Sequence, residues 1–315
     1  MRKIVVAGSI LVDRIYGIDS YPGAGELVQI QSLSRAGGGM VHNTGRDIRR
    51  FAPDIPVSAF GMIGDDDDGR YVVSELQRDN VDVSGIKVSK KSVTSFTEVM
   101  SVAGGERTFF TFPGASAEWG YDDFPFELVN EGDIVLLGYF LLLDKIDNGD
   151  GLRILRELKK RGVYTAIDLV TENSNRYSLV RDCLAYVDYL IVNEVEASRI
   201  AGMDVEPCKL CEKLLELGVR ERVVIHMPEK GITLRRGGEV VELPSVAIPD
   251  ELIKGKTGAG DAFCAGALTG IFRGESDLNI LDLGGIASVG ALSEPGATEG
   301  MKTEKELREY VSKFK

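Results

Sequence analysis

Gly255-Lys256-Thr257-Gly258-Ala259-Gly260-Asp261-Ala262-Phe263-Cys264-Ala265-Gly266-Ala267-Leu268 sets small residues beside one carboxylate and then turns strongly helical. The same residues support two readings. In one, the backbone N–H groups of Gly258, Ala259 and Gly260 converge on an anion, helped by the positive end of the helix that follows. A carboxylate there would repel a phosphate, so Asp261 makes sense as a base taking a proton from an attacking hydroxyl. In the other, Asp261 caps a helix after a flexible turn. The stretch alone does not separate them.

The chain has 315 residues, 43% hydrophobic and 27% charged, which suits one large α/β core. No apolar run nears the length of about 18 residues that would span a membrane. Met1-Arg2-Lys3 followed by Ile4 to Gly8 is too short for a signal peptide and reads as a first buried strand. A net charge of −12 opposes a polyanionic partner, so nucleic acid is not expected, though a small anion needs only a local positive pocket. Four cysteines, Cys183, Cys208, Cys211 and Cys264, do not form a disulfide framework, and a reducing cytoplasm is the expected location. Cys208-x-x-Cys211 has no histidine pair to complete a zinc site, and Leu210, Leu214, Leu215 and Leu217 make its surroundings an ordinary amphipathic helix.

Working outward, strand-like runs at Ile4 to Ala7, Val57 to Ile63, Asp133 to Leu137, Val163 to Asp168, Tyr189 to Val192 and Val223 to His226 alternate with helical segments. These segments are Asn43 to Phe51, Tyr71 to Asp79, Leu152 to Arg161, Val195 to Ala201 and Leu210 to Leu217. Continuous apolar strands alternating with helices predict a mostly parallel sheet covered on both faces. Glu26 to Ser34 and Ser92 to Phe112 break the pattern and predict a small antiparallel sheet, with a hairpin turn at Ala103-Gly104-Gly105-Glu106. A second hairpin joins Ile232 to Arg236 and Glu239 to Leu243. Helices Asp261 to Ile271, Leu278 to Leu292 and Thr303 to Phe314 close the chain, the last capped by Thr303 with Glu306. One domain over 1–315, with a lid from about 14–35 and 92–115, is the economical organisation.

Other motifs are equivocal singly. Ala36-Gly37-Gly38-Gly39 runs into a helix with Asn43, which offers a donor and an acceptor to a polyol or simply caps the helix. Gly61 to Gly69 fails as a calcium loop, because Gly64 falls where an aspartate is required. Asn193-Glu194-Val195-Glu196 either forms a capping box or brings Glu196 near Mg²⁺ or its water shell.

In order along nearly the whole chain, these pieces resemble the ribokinase, or PfkB, family of carbohydrate kinases. Gly8 to Asp13 is similar to its first strand and substrate-binding aspartate, and Pro22-Gly23-Ala24-Gly25-Glu26 to its proline-glycine-glutamate element. Gly38-Gly39 with Asn43, then Gly61, Gly64-Asp65-Asp66 and Gly69, match the first signature. Asn193 to Glu196 matches the Asn-x-x-Glu motif, Gly258 to Asp261 the second signature, and Pro295-Gly296-Ala297 the C-terminal element.

The resemblance implies a ribokinase-like three-layer α/β sandwich with a β lid, and phosphoryl transfer from ATP with Mg²⁺ to a primary hydroxyl of a sugar or sugar acid. Asp261 would be the base, with Gly258, Ala259 and Gly260 as anion hole; Asp13, Gly38, Gly39 and Asn43 would hold the substrate. Asn193, His226, Gly231, Lys256 and Ser288 would hold the nucleotide, and Glu196 would serve the metal. Phe96, Phe110 and Phe112 would contact substrate or form the lid's own core, and dimers through the lid would hide its strand edges. A nucleoside kinase of the same family, or a non-catalytic sugar or nucleotide sensor, are the alternatives. Gly255-Lys256 stands where the family has an aspartate, so a monovalent cation is not expected and Lys256 would bring a fixed charge instead. Pro228 replaces a nucleotide-loop glycine. Met40 and Tyr139 replace a lysine and a glutamate of ribokinases proper, so ribose is not the expected substrate.

Overall fold

The structure, a computed structural model, describes residues 2–102, 107–171 and 176–314. The turn expected at Ala103 to Glu106 lies outside the described residues. In chain order the strands are β1 (Ile4–Gly8), β2 (Leu11–Ile18), β3 (Ile30–Gly38), β4 (Val57–Gly64), β5 (Asp82–Ser89), β6 (Ser95–Val102) and β7 (Arg107–Phe112). They continue with β8 (Ile134–Phe140), β9 (Tyr164–Leu169), β10 (Tyr189–Asn193), β11 (Arg222–His226), β12 (Lys230–Arg235) and β13 (Val240–Pro244). The helices are α1 (Met40–Phe51), α2 (Asp67–Arg78), α3 (Gly151–Lys160), α4 (Ser178–Arg181), α5 (Glu194–Ala201), α6 (Pro207–Glu216), α7 (Ala259–Arg273), α8 (Asp277–Leu292) and α9 (Glu304–Val311).

The main sheet has nine strands in the order β13-β12-β11-β10-β9-β8-β1-β4-β5. All neighbours from β5 to β11 are parallel, and only the β11-β12-β13 hairpins run antiparallel. Strand alternation builds a core on each face. Ile4, Val6, Ile134 and Leu136 pack with Ile48, Leu76, Leu268 and Ile286 from α1, α2, α7 and α8. Val5, Ala7, Val135 and Leu137 pack on the other face with Ile154, Ile200 and Leu210 from α3, α5 and α6. That is the three-layer α/β sandwich the alternation predicts. Strand order reverses at β1 and β8, and such a switch point opens a crevice beyond the carboxyl ends of the strands.

The second sheet is the small one expected beside the main sheet, in the order β3-β2-β6-β7. β2 pairs with β6 in parallel, between antiparallel β2-β3 and β6-β7 pairs. β2 is not among the strand-like runs read from the sequence, and it carries Asp13 and Arg14. Arg14 in fact bonds Asp68 at 2.6 Å and Glu98 at 2.9 Å, so the sheet accommodates it. The expected strand Glu26 to Ser34 lies instead at Ile30–Gly38, and β5 was not anticipated. Helix α1 begins at Met40 rather than Asn43, because Gly39 at φ 82° turns the chain immediately after β3. The final helix stops at Val311, with the expected Thr303–Glu306 capping box. The Cys208-x-x-Cys211 pair sits in the first turns of α6, and burial pushes the Cys211 thiol up to about 12, the reverse of a redox-active cysteine.

Helices α7 and α8 cross at Gly266, where an added Cβ would meet the Leu283 carbonyl oxygen at 2.2 Å. Gly266→Val should therefore cost about 1–3 kcal/mol by overpacking. A urea midpoint equal to that of the unaltered protein would contradict this.

Candidate active site

The glycine stretch proves to be both a helix start and the floor of a cleft. Gly258 is the N-cap of α7 in the left-handed region at φ 78°, and an added Cβ would strike Ala297 at 2.7 Å. Only glycine fits there. Asp261 is therefore not the cap. It lies one turn into α7, where the N-terminal dipole favours negative charge, and it is 6% exposed.

Two groups converge on the same carboxylate oxygen. Asn43 Nδ2 donates to Asp261 Oδ2 at 2.9 Å, and the Tyr139 hydroxyl donates to it at 3.3 Å. The other oxygen, Oδ1, takes neither of these bonds. Burial pushes the Asp261 carboxyl up to about 6, while these two hydrogen bonds pull the other way. Asn43 is inside α1, not its cap, so its capping role is excluded. Tyr139, the last residue but one of β8, has φ 59°, an unfavourable backbone for a bulky residue. Such strain, at the switch point and beside the carboxylate, is typical of a working site.

On the small-sheet side, Asp13 lies on β2 against Gly38, whose added Cβ would meet the Asp13 carboxylate at 2.8 Å. Burial, then the charge of Asp261, push Asp13 up to about 6; Arg107 and a hydrogen bond from Thr97 oppose this. Arg107, at the start of β7, also donates to Thr257 Oγ1 at 3.3 Å and so ties the small sheet to the glycine loop.

Beyond Asp261 lie two adjoining cavities. One of about 180 Å³ is lined by Asp261, Gly258, Tyr139, Asp168, Glu196 and Thr171, among others. The other, of about 460 Å³, is apolar, with Phe263, Leu281, Val289, Ser288 and Gly231 in its wall. Asn193, His226, Lys256, Ala259 and Gly260 border both. The His226 ring lies 5.0 Å from that of Phe263, and burial drops its pKa to about 4, so it is a neutral ring. Asp13, Gly38, Gly39 and Asn43 border neither cavity.

Asn193 and Glu196 form the capping box of α5, and Thr171 Oγ1 also donates to Glu196 at 2.8 Å. Both Glu196 oxygens are thus engaged. Among the described residues no three His, Cys, Asp or Glu side chains form a metal cage. The acidic run Asp65 to Asp68 is structural: Asp66 caps α2, and Asp68 pairs with Arg14 and Arg35.

Sequence reasoning missed Asp168, Thr171 and Arg107. Asp168 is buried at the end of β9, and its pKa is pushed well above the usual range by burial, then by Asp261 and Glu196. Its position at the carboxyl end of a parallel strand was the available signal.

A model of the pfkB family carbohydrate kinases matches residues 1–304. The ribokinase of Schizosaccharomyces pombe is 25% identical over 311 residues, spanning 96% of this chain and 95% of that protein. Arabidopsis thaliana ribokinase, solved with ribose and ATP, superposes with a TM-score of 0.86 at 24% identity, covering 99% of each chain. An Escherichia coli ribokinase II structure with ATP and Mg²⁺ gives 0.82 at 17% identity, covering 99% of this chain and 100% of that one. With the family match spanning almost every residue and the fold shared throughout, the chain belongs to the pfkB family of carbohydrate kinases.

Proposed function

We propose that this kinase transfers the γ-phosphoryl group of ATP to a primary hydroxyl of an unphosphorylated sugar or sugar acid, with Asp261 as the general base. The observation that carries the reading is the Asp261 carboxylate, pinned through one oxygen by Asn43 and Tyr139 in the wall of the smaller cavity. The substrate hydroxyl gives its proton to Asp261 as its oxygen bonds to the γ-phosphorus. The bond from that phosphorus to the bridging oxygen breaks, and ADP leaves. N–H groups of Gly258, Ala259 and Gly260 stabilise the charge on the transferring group. The raised pKa of Asp261, about 6, suits a base working near neutrality.

The larger apolar cavity suits an adenine base, between the neutral His226 ring and Ser288. Gly231 approaches there, and Asn193 and Lys256 sit at the phosphate end. Mg²⁺ would shield the triphosphate charge. The engaged Glu196 suits its water shell rather than direct ligation, since Mg²⁺ keeps several waters. Asp13, Gly38, Gly39 and Asn43 form the sugar side, with a neutral tyrosine at 139 and a buried Met40 behind it. Arg107 gives this side a cation, which favours an acid among the candidate sugars.

We read residues 1–315 as one cytoplasmic kinase unit with the small sheet as lid. The Phe96 and Phe112 rings meet at 5.3 Å, tilted by 32°, within the lid, while Phe110 is exposed. Leu33 and Phe109, 67% and 62% exposed on its two edge strands, favour a lid-to-lid homodimer, which sedimentation equilibrium would report as twice the chain mass.

Asp261→Asn should lower kcat at least about 100-fold with the fold intact. Near-normal turnover would overturn the base assignment, and ATP consumption against sugars, sugar acids and nucleosides separates the sugar kinase from its nucleoside alternative. Lys256 borders both cavities, as a built-in cation for the phosphates would. Turnover should accordingly be indifferent to K⁺, and marked K⁺ stimulation would refute that role.

A further inference from the structure

The donor that pins Asp261 is itself held in a defined chain. Arg46, one turn below His42 on α1, places Nη1 at 3.2 Å from His42 Nε2. His42 Nδ1 lies 3.1 Å from Asn43 Oδ1, and Asn43 Nδ2 lies 2.9 Å from Asp261 Oδ2. A guanidinium has five donors and no acceptor. His42 Nε2 must therefore accept, which puts the imidazole proton on Nδ1. That N–H donates to Asn43 Oδ1 and turns the amide so that its NH₂ faces Asp261. Each polarity follows from the one before it.

The head of the chain is firmly anchored. Arg46 pairs with Glu75 on α2 at 3.1 Å and with Asp79, the C-cap of α2, and donates to Thr298 Oγ1 at 3.2 Å. Arg50 holds the Thr298 carbonyl at 2.7 Å and Asp79 at 3.0 Å. Thr298 follows Ala297, the residue packed against Gly258. The same guanidinium thus ties the base holder to the loop backing the anion hole. His42 is 1% exposed, and burial, then Arg46, hold its pKa down to about 3, so it stays the neutral acceptor that Arg46 requires.

We propose that Arg46 and His42 are positioning residues of the transfer reaction: they fix the tautomer and amide orientation that aim Asn43 at Asp261 and leave the other carboxylate oxygen for the substrate hydroxyl. The proposal rests on the Asp261 reading above for its kinetic consequence, but the tautomer can be measured without any activity.

The chain contains two histidines, His42 and His226, so ¹⁵N-histidine labelling gives two imidazole spin systems, assigned by His42→Gln. His42 should be neutral and protonated on Nδ1 at pH 7 and remain so down to pH 5. An Nε2–H tautomer, or titration near the ordinary histidine value, would overturn the proposal. In kinetics, His42→Leu removes the relay, while His42→Gln can accept from Arg46 and donate to Asn43. The leucine variant should lose roughly tenfold or more in kcat with KM for ATP unchanged. Its acid limb should move upward, because a hydrogen bond that favours the ionised Asp261 is weakened. Asp13, Asp47, Tyr139 and Asp168 face Asp261 from the other packed elements and are present in all variants, so they do not produce the difference. The glutamine variant should recover most of the rate. Equal loss in both variants, or wild-type kcat and limb in the leucine variant, would assign His42 a merely structural role. Should Asp261→Asn remain active, the base reading fails, and the tautomer result still stands or falls separately.

Discussion

A single hydrogen bond, from Asn43 on α1 to Asp261 on α7, joins residues 218 positions apart, and most of the site depends on the geometry that allows it. Both helices start at a glycine in the left-handed region, Gly39 at φ 82° and Gly258 at φ 78°. Each turn brings the chain abruptly from strand or loop into a helix whose first residues face the crevice beside β1 and β8. Shift either helix by one residue and the side chain that should face its partner rotates by about 100° away, since a turn takes 3.6 residues. Close packing of α7 on α8 through Gly266 holds the second helix in that setting.

The electrostatics follow from this convergence. Asp13, Asp168, Glu196 and Asp261 gather in a chain that is already acidic, and burial raises the pKa of each. A carboxylate crowd is a poor receptor for a triphosphate. Opposing that crowd are the positive end of α7 and Lys256, which line the smaller cavity beside Asp168 and Glu196, and Arg107, which approaches from the small sheet. Acidic and basic groups therefore share the space around Asp261, with Lys256 beside Asp168 and Glu196 in one cavity and Arg107 acting on Asp13.

What could be read in advance was local. The glycine-aspartate stretch, the apolar strands and the Thr303–Glu306 box each carry their instructions within a few neighbouring residues. β2 could not be read, because Asp13 and Arg14 look like loop until Asp68 and Glu98, far along the chain, are seen to satisfy Arg14. The start of α1 was misplaced because Met40 and Val41 gain their helical setting from burial against the main sheet. Asp168, Arg107 and the His42–Arg46 pair were invisible as site residues for the same reason. Their meaning lies in partners brought by topology, and no spacing within their own segments announces it.

The departure at Gly255-Lys256 becomes intelligible in these terms. A side chain at position 255 would press on the carbonyl oxygens of Glu294 and Pro295, each 3.0 Å from an added Cβ. The loop before Gly258 thus lies close against the segment after α8, leaving no room for an aspartate at 255 without movement. Loss of that carboxylate removes a charge that a bound cation would have balanced. The lysine beside it lines both cavities and has no carboxylate neighbour at 255. Under the reading proposed above, glycine and lysine would act as a pair: the first lets the two loops meet beside Gly258, and the second would supply the positive charge locally.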